Sequence, residues 1–330
     1  MAPPNIDIHA HFFPAAYLKL IAEEGAPFGA ACTYGSEEFP TITMGERTGK
    51  PMPARFFDMD ARLRSMDGQK VDMHALSLTS PMVYWASPEL GLALSRAFND
   101  ACAAMHDAHP DRFVGLAMLP MHAPELALRE LARVATMPGI RGVYMSTRIG
   151  ERELSDPAFF DIYERIDALG WTIFLHPTNV VDPARLKKYY LTNFIGNPTE
   201  SAIAASHLIF GGVLDRFSKL IVCLPHAGGS FPFLIGRITH GWRVRPECQH
   251  LKTPPIDYLR RFYYDTITHA HPALDYLIDL VGADRVVLGS DFCFDMSYAQ
   301  PVEFIASHQG LNAAERAMIL GGTAARLLGL

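Results

Sequence analysis

Ile6-Asp7-Ile8-His9-Ala10-His11, residues 6–11 of a 330-residue chain, form the first short apolar run and carry two histidines. Successive side chains of a β-strand point to opposite faces, so His9 and His11 must point to the same side. Neutral imidazole is a common ligand of zinc and related ions. This spacing alone is a weak sign of a metal site, because packing histidines and surface histidines also show it.

Short apolar runs alternate with longer segments of helical periodicity along the whole chain. This alternation is typical of repeated βα units around a parallel sheet. The runs cover residues 6–11, 74–79, 113–119, 142–146, 172–176, 220–226, 262–266 and 285–290. Eight parallel strands close a barrel, so we predict an α/β protein with a single (β/α)8 TIM barrel over residues 1–330.

Three of the predicted helices carry a start signal, in which a capping side chain precedes a proline at the first helical position. The three pairs are Ser87-Pro88, Asp156-Pro157 and Asn197-Pro198. After Asp156-Pro157 the apolar positions continue as far as Gly170, where we expect the helix to end.

Residues 14–64 interrupt the alternation between the first and second predicted strands. This segment is rich in Gly, Pro, Thr and Phe, and it is too long for an ordinary βα loop. We therefore predict an insertion that forms a lid over the mouth of the barrel.

The composition favours a small molecule as the partner. The formal net charge is −6 and no run of Lys or Arg is present, which argues against nucleic acid and against an anionic membrane surface. The five cysteines are odd in number and include no CxxC pair, so neither a disulfide framework nor a thiolate zinc site is indicated. Because no long apolar segment or leader pattern is evident, we expect a cytoplasmic protein.

Three further predicted strands end in residue types that bind metals. His176 and His226 each close an apolar run, and Asp291 follows the last run. A barrel brings the carboxyl ends of its strands to one rim, so these side chains can meet His9 and His11 in space. Separate strand-end hydrogen bonding by each residue is the less favoured explanation. The sequence therefore predicts a metal site at this rim.

Other polar residues are given supporting roles. Asp265 follows two tyrosines in the seventh predicted strand and could orient a metal ligand. His74, at the start of the second predicted strand, is expected to be a hydrogen-bonded packing residue.

Four longer segments resemble a known family. They are residues 112–120 (RFVGLAMLP), 208–217 (LIFGGVLDRF), 226–237 (HAGGSFPFLIGR) and 321–329 (GGTAARLLG). Together with the strand-end residues, they resemble the amidohydrolase superfamily, and within it the branch of aminocarboxymuconate-semialdehyde decarboxylase and related acid decarboxylases. The resemblance covers nearly the whole chain.

The resemblance implies a metal ion held by His9, His11, His176 and Asp291. It assigns His226 to holding and deprotonating the metal-bound water, so that His226 and Asp291 are the expected catalytic residues. Binuclear relatives carry a carbamylated lysine on the fourth strand, where residues 142–146 contain no lysine. One divalent ion is therefore expected, with Zn2+ preferred over Mn2+ or Co2+.

The resemblance also implies cations that bind a small carboxylic acid substrate. Arg237 matches an arginine that reaches the neighbouring subunit's active site, which implies a homodimer. The second family arginine corresponds to Lys50, with Arg47 close by. Because a lysine is a point charge and lacks the planar fork of arginine, bidentate carboxylate recognition is in doubt at Lys50.

The implied reaction is non-oxidative loss of CO2 from a small unsaturated or aromatic carboxylic acid. His176-Pro177-Thr178-Asn179 departs from the family's His-Pro-Trp-Asp, so the substrate is expected to differ from aminocarboxymuconate semialdehyde. Two alternatives would use the same site, namely metal-dependent hydrolysis of a lactone or amide and hydration of an unsaturated acid. A non-enzymatic binding barrel is the alternative of a different class.

Overall fold

Eight parallel strands lie side by side in chain order at the centre of the computed structural model, which describes residues 4–35 and 39–330. They are β1 Ile6–His11, β2 Met73–Ser77, β3 Phe113–Met118, β4 Ile140–Ser146, β5 Thr172–His176, β6 Ile221–Leu224, β7 Phe262–Asp265 and β8 Val286–Val287. Each strand is parallel to its neighbour in the ladder. The prediction of eight strands in a parallel sheet is therefore confirmed.

The last strand returns to the first. The Ile8 amide donates to the Leu288 carbonyl at 3.0 Å, and the His11 amide donates to the Phe292 carbonyl at 2.7 Å. Ala10 and Phe292 also form a parallel bridge. These contacts bring the segment after β8 against β1, which gives the barrel that eight strands predict.

Five strands are shorter than the sequence predicts, β2, β3 and β7 by one residue each and β6 and β8 by more, and local chemistry explains the two larger differences. β6 ends before Pro225, which has no amide hydrogen to donate to a ladder. After β8, the Gly289 amide donates to the Thr266 hydroxyl and the Ser290 amide donates to the Asp7 carboxylate, both at 3.1 Å. These side-chain partners replace main-chain partners, so the ladder stops early.

Helices follow the strands and cover the outside of the barrel. They are α1 Ala15–Glu24, α2 Met59–Gln69, α3 Pro88–Ala108, α4 Pro124–Val134, α5 Phe160–Leu169, α6 Asn197–Phe210, α7 Phe231–Val244 and α8 His271–Val281, with shorter helices at Val213–Arg216, Pro301–Ala306, Ala313–Ala317 and Thr323–Leu328. Within the described ranges, no helix is both long enough and apolar enough to cross a bilayer.

The predicted helix starts are confirmed at two of three positions. The Ser87 side chain accepts from the Leu90 amide, and the Asp156 side chain accepts from the Ala158 amide at the start of a 3-10 turn, Pro157–Phe159, that leads directly into α5. The Asn197 prediction was wrong. A π-helical turn at Thr192–Gly196 runs directly into α6, so Asn197 is already helical and its side chain caps nothing.

The insertion has secondary structure of its own. It contains α1, an antiparallel sheet of Ala30–Tyr34, Pro40–Met44 and Arg47–Thr48, and the start of α2. The Tyr17 hydroxyl ties it to the barrel by donating to the Met82 carbonyl at 2.6 Å. Residues 1–3 of the predicted domain and 36–38 of the predicted lid lie outside the described residues. The function of the insertion as a lid stays a prediction.

Candidate metal centre and active site

Four side chains from three strand ends converge at the carboxyl rim of the barrel. One ligand-type atom from each of His9, His11, His176 and Asp291 lies within 4.8 Å of all the others, and all four residues are buried. The Asp291 Oδ1 atom is 3.1 Å from His11 Nε2 and 3.5 Å from His9 Nε2. Strand alternation thus places His9 and His11 on one side of β1, as the sequence predicts.

The donor set fits a divalent ion. His9 Nε2 and His176 Nδ1 are buried and have no hydrogen-bond partner among the described residues. A buried polar atom without a partner costs about 1–3 kcal/mol, so its presence calls for an explanation. An ion bound among these atoms would give both nitrogens a partner. Three imidazoles and a carboxylate are ligands that zinc and related ions accept.

The charge states of His11, His176 and Asp291 also suit a cation. Burial lowers the pKa of His11 to about 4 and holds the pKa of His176 well below its usual value, so both rings are neutral near pH 7. Burial opposes ionisation of Asp291, but the imidazoles of His11, His226 and His9 beside its carboxylate outweigh burial and keep the Asp291 pKa well below its usual value. A neutral imidazole and an ionised carboxylate are the forms that bind metal.

Asp265 at the end of β7 orients the His9 ring and also holds the backbone at His226. Its carboxylate accepts from His9 Nδ1 at 2.8 Å, which leaves His9 Nε2 facing Asp291. It also accepts from the backbone amides of His226 at 2.9 Å and Ala227 at 2.7 Å. A carboxylate behind a ligating histidine fixes the ring's orientation and tautomer. The predicted orienting role of Asp265 is therefore supported by its contacts.

Ser77 lies behind His11 as Asp265 lies behind His9, next to the Nδ1 atom of the ring. The Ser77 hydroxyl lies 3.1 Å from His11 Nδ1 and donates to the Ala10 carbonyl at 3.3 Å. With its hydrogen on that carbonyl, the Ser77 hydroxyl can accept the Nδ1 hydrogen of His11 when Nε2 binds a metal. The lone pair of His11 Nε2 is then directed at the centre. Sequence reasoning missed Ser77, although its position at the end of β2 was a usable signal.

His226 lies beside the four-residue cluster without belonging to it. Its Nε2 atom is 3.9 Å from Asp291 Oδ2, and its side chain is 13% exposed. Its backbone φ of 52° and that of Ala227, 57°, place both residues in the left-handed region. Such a conformation costs roughly 1–3 kcal/mol for a non-glycine residue and is common at functional sites. Asp291 shares this feature, with a φ of 61°.

The three predicted substrate-binding cations lie outside the cluster. Lys50 Nζ is 2.9 Å from the Asp295 carboxylate, and this hydrogen bond raises the Lys50 pKa. Arg47 is exposed in the short strand Arg47–Thr48. Arg237 is exposed on α7, and its side chain makes no hydrogen bond or ion pair with any described residue. The fold brings none of the three into contact with the ligand side chains of its own chain.

Two aromatic side chains near the centre were missed by sequence reasoning. The Phe294 ring lies 5.5 Å from the His11 ring and 5.1 Å from Phe56 of the insertion. The Tyr144 ring lies 6.1 Å from His11 and 5.9 Å from His176. Tyr144 occupies the part of β4 where the absence of a lysine was noted. Alternation along β4 was the signal that could have placed this side chain inside the barrel.

Comparisons with known proteins agree with this architecture. A family model described as Amidohydrolase matches residues 6–330. The 2-amino-3-carboxymuconate-6-semialdehyde decarboxylase of Dictyostelium discoideum is 33% identical over 99% of this chain and 92% of that protein. The gamma-resorcylate decarboxylase of a Polaromonas species is 30% identical over 73% of this chain and 79% of that protein.

A solved structure extends the likeness to three dimensions. The 5-carboxyvanillate decarboxylase of Sphingomonas paucimobilis is similar with a TM-score of 0.86 and 28% sequence identity, over 100% of both chains. These similarities confirm the resemblance found in the sequence segments and strand ends. The chain belongs to the amidohydrolase family.

Proposed function

We propose that this protein is a metal-dependent, non-oxidative decarboxylase of a small aromatic or unsaturated carboxylic acid. The observation that carries the proposal is the convergence of four buried ligand-type side chains at the barrel rim, with His226 beside them. The relatives that are 33% and 30% identical are both decarboxylases, which favours loss of CO2 over hydrolysis or hydration.

His9, His11, His176 and Asp291 would hold one divalent ion. Zn2+ is our first choice for these nitrogen and oxygen donors, and Mn2+ or Co2+ are the alternatives. When bound, such an ion supplies a Lewis acid that polarises a substrate oxygen and lowers the pKa of bound water. A single ion is favoured because β4 offers no lysine as a bridging ligand.

His226 would move the proton that decarboxylation requires. The bond between the carboxyl carbon and its neighbour breaks, CO2 leaves, and the electron pair stays on the substrate carbon. That carbon must then receive a proton, and His226 Nε2 is suited to take this proton from water and pass it to the carbon, because it faces the ligand set. The bonds from the His226 and Ala227 amides to Asp265 keep the imidazole turned towards the centre.

We also propose a homodimer in which Arg237 binds the substrate carboxylate in the neighbouring subunit's site. Arg237 has no internal partner among the described residues, and an exposed arginine is a suitable donor to a carboxylate. Phe233, one helical turn earlier on α7, is 79% exposed. A large exposed aromatic residue beside an unpaired arginine fits the composition of a protein interface.

The insertion of residues 14–64 would act as the lid within a single barrel domain. Phe56 contacts Phe294 at the rim, and Lys50 reaches Asp295 in the segment that follows Asp291. Both contacts support a lid at the edge of the proposed site. Lys50 and Arg47 would then add positive charge where the acid enters.

Product analysis tests the proposal directly. The metal-loaded protein would be incubated with hydroxybenzoic acids, including gamma-resorcylate, 6-methylsalicylate and 5-carboxyvanillate, and with unsaturated dicarboxylic acids. We expect at least one acid to release one CO2 per molecule consumed, and chelation of the metal to stop the reaction. If lactones or amides yield new acids without CO2, or if an unsaturated acid gains water, the decarboxylase assignment is wrong.

A further inference from the structure

Arg62 is a buried arginine on α2 of the insertion. It is 1% exposed, and it forms no ion pair with a carboxylate in the described part of the chain. Burial lowers its pKa to about 10, which still leaves the guanidinium charged near neutral pH. A buried charge is normally kept only where several contacts compensate for its desolvation. The contacts of Arg62 therefore indicate what it does.

The first group of contacts lies directly behind two proposed metal ligands. Arg62 Nη2 donates to the backbone carbonyl of His11. The guanidinium carbon lies 4.9 Å from the ring centre of Phe292 and 5.6 Å from that of Phe12. Phe12 follows His11 and Phe292 follows Asp291 in the chain. Arg62 thus holds the backbone where β1 meets the segment after β8.

The second contact leads to His74. Arg62 Nη1 lies 3.2 Å from His74 Nδ1, and a guanidinium only donates, so Nδ1 must accept. Burial and the charge of Arg62 keep the His74 pKa well below its usual value, so the ring is neutral. Its hydrogen is then on Nε2, which makes no hydrogen bond with any described residue but points at the Asp7 carboxylate 3.8 Å away, close enough for an attraction between the ring dipole and the carboxylate charge. His74 therefore lies between a buried cation and a buried carboxylate.

Asp7 completes the connection to the ligands. Its Oδ1 atom accepts from the His9 amide at 3.0 Å and the Ser290 amide at 3.1 Å. Its Oδ2 atom accepts from the Ser290 hydroxyl. Ser290 is the residue before Asp291. Arg62 therefore contacts the backbone of His11 and the ring of Phe292, and Asp7 contacts the backbone of His9 and of Ser290. Ser290 and Phe292 are the two chain neighbours of Asp291.

We propose that Arg62 is a positioning residue for the metal centre, acting through the His11 carbonyl and through His74 and Asp7. The inference rests on the proposed metal site, and it gives the insertion a second task besides covering the barrel. Because the fold places the arginine on α2, the insertion fixes the spacing of three ligands from behind. The sequence prediction that His74 is a hydrogen-bonded packing residue is thereby extended, since its ring lies between the Arg62 cation and the Asp7 carboxylate.

Cobalt binding tests this inference without any substrate. Apo protein would be titrated with Co2+, and affinity and visible absorption bands would be recorded for the unchanged chain and for Arg62→Met, Arg62→Lys and Arg64→Met. Arg64 lies on the same helix but is exposed, so its variant is the matched control. We expect about tenfold or greater loss of affinity and shifted bands for Arg62→Met, because groups behind metal ligands commonly contribute this much. Arg62→Lys should fall between, and Arg64→Met should match the unchanged chain.

A folded Arg62→Met variant with unchanged affinity and unchanged bands would overturn the inference. If Arg62→Met does not fold, His74→Leu replaces it, since this variant keeps the bond to the His11 carbonyl and removes the polar ring between Arg62 and Asp7. It should bind Co2+ several-fold more weakly with shifted bands, and unchanged bands would again overturn the inference. If the unchanged chain binds no Co2+, the proposed metal site itself fails, which differs from a failure confined to the variants.

Discussion

At the scale of a single residue, a change at His226 should affect the reaction without affecting metal binding. Its Nε2 atom is near Asp291, but it is not among the four ligand side chains. We expect His226→Ala to retain its metal and to lose activity by about 10²–10⁴-fold, the usual effect of removing a group that transfers protons. Metal content and turnover would be measured on the same preparation.

The control for this prediction is His176→Ala, which removes one of the four ligand side chains. That variant should lose the metal and the activity together. If His226→Ala instead loses its metal to the same extent as His176→Ala, then His226 is a ligand and its assigned role in proton transfer is wrong.

Lys50 and Asp295 form the second test at this scale. The pair is exposed, with side chains 84% and 56% accessible, and exposed ion pairs contribute only about 0–1 kcal/mol. Asp295→Asn should therefore release Lys50 for the substrate carboxylate and lower KM a few-fold, while Lys50→Met should raise KM. Lys70→Met is the matched control, because Lys70 forms a similar exposed pair with Glu303. Equal KM values for all three variants would remove Lys50 from substrate binding.

At the scale of an element, the turn between β6 and α7 sets the direction of His226. Gly229 in this turn has a φ of 59°, and a Cβ atom there would lie 2.1 Å from the Pro198 carbonyl oxygen. We expect Gly229→Ala to destabilise the protein by at least roughly 1–3 kcal/mol, because both the conformation and the space exclude a side chain. The thermal unfolding midpoint and turnover should both fall.

Gly241→Ala provides the comparison for that change. Gly241 lies inside α7, where a Cβ atom meets nothing within 4 Å. Replacing a helical glycine by alanine stabilises by roughly 0.5–1 kcal/mol, so this midpoint should stay level or rise. A Gly229→Ala variant as stable and active as Gly241→Ala would show that the turn does not hold His226.

The elements also show why much of the site could be predicted from the sequence. Alternation fixes His9 relative to His11, and closure of eight strands brings distant strand ends to one rim, so the sequence pattern alone predicted the meeting of the ligand side chains. Arg62 could not be found in this way. A single arginine in a mostly polar helix has the pattern of a surface residue, and Arg62 is buried only because its side chain reaches the His11 carbonyl and the rings of Phe12 and Phe292.

Contacts between side chains of different loops could not be predicted from the sequence either. Lys50 and Asp295 are 245 positions apart, and neither lies in a strand whose direction would aim it. The predicted helix start at Asn197 was wrong for a different reason. Its cap signal is real as a local preference, but the preceding turn continues the helix, and tertiary packing overrides local preference.

At the scale of the whole molecule, the proposed dimer predicts complementation between inactive chains. Arg237→Ala and His226→Ala homodimers should each be nearly inactive, since every site lacks one group. In a mixed dimer one site carries both lesions and the other carries none, so about half of the original activity per dimer should return if sites are independent. Chains with two different tags allow the mixed dimers to be purified before assay.

The parent variants must first be shown to fold and to bind metal like the unchanged chain. Verified mixed dimers without activity would contradict a shared site, and a monomer in solution would contradict the dimer itself. Either result would leave the metal centre of the single chain in place, because its ligand side chains all come from one chain.

The most direct test of the central claim is the anomalous diffraction of metal-loaded crystals at the absorption edge of the bound ion. We predict one peak per chain, about 2.0–2.2 Å from a nitrogen of each of His9, His11 and His176 and from an Asp291 oxygen, the usual range for zinc. His226 should lie near the ion without binding it. Two peaks in one site, a ligand from β4, or a peak away from these four side chains would contradict the account.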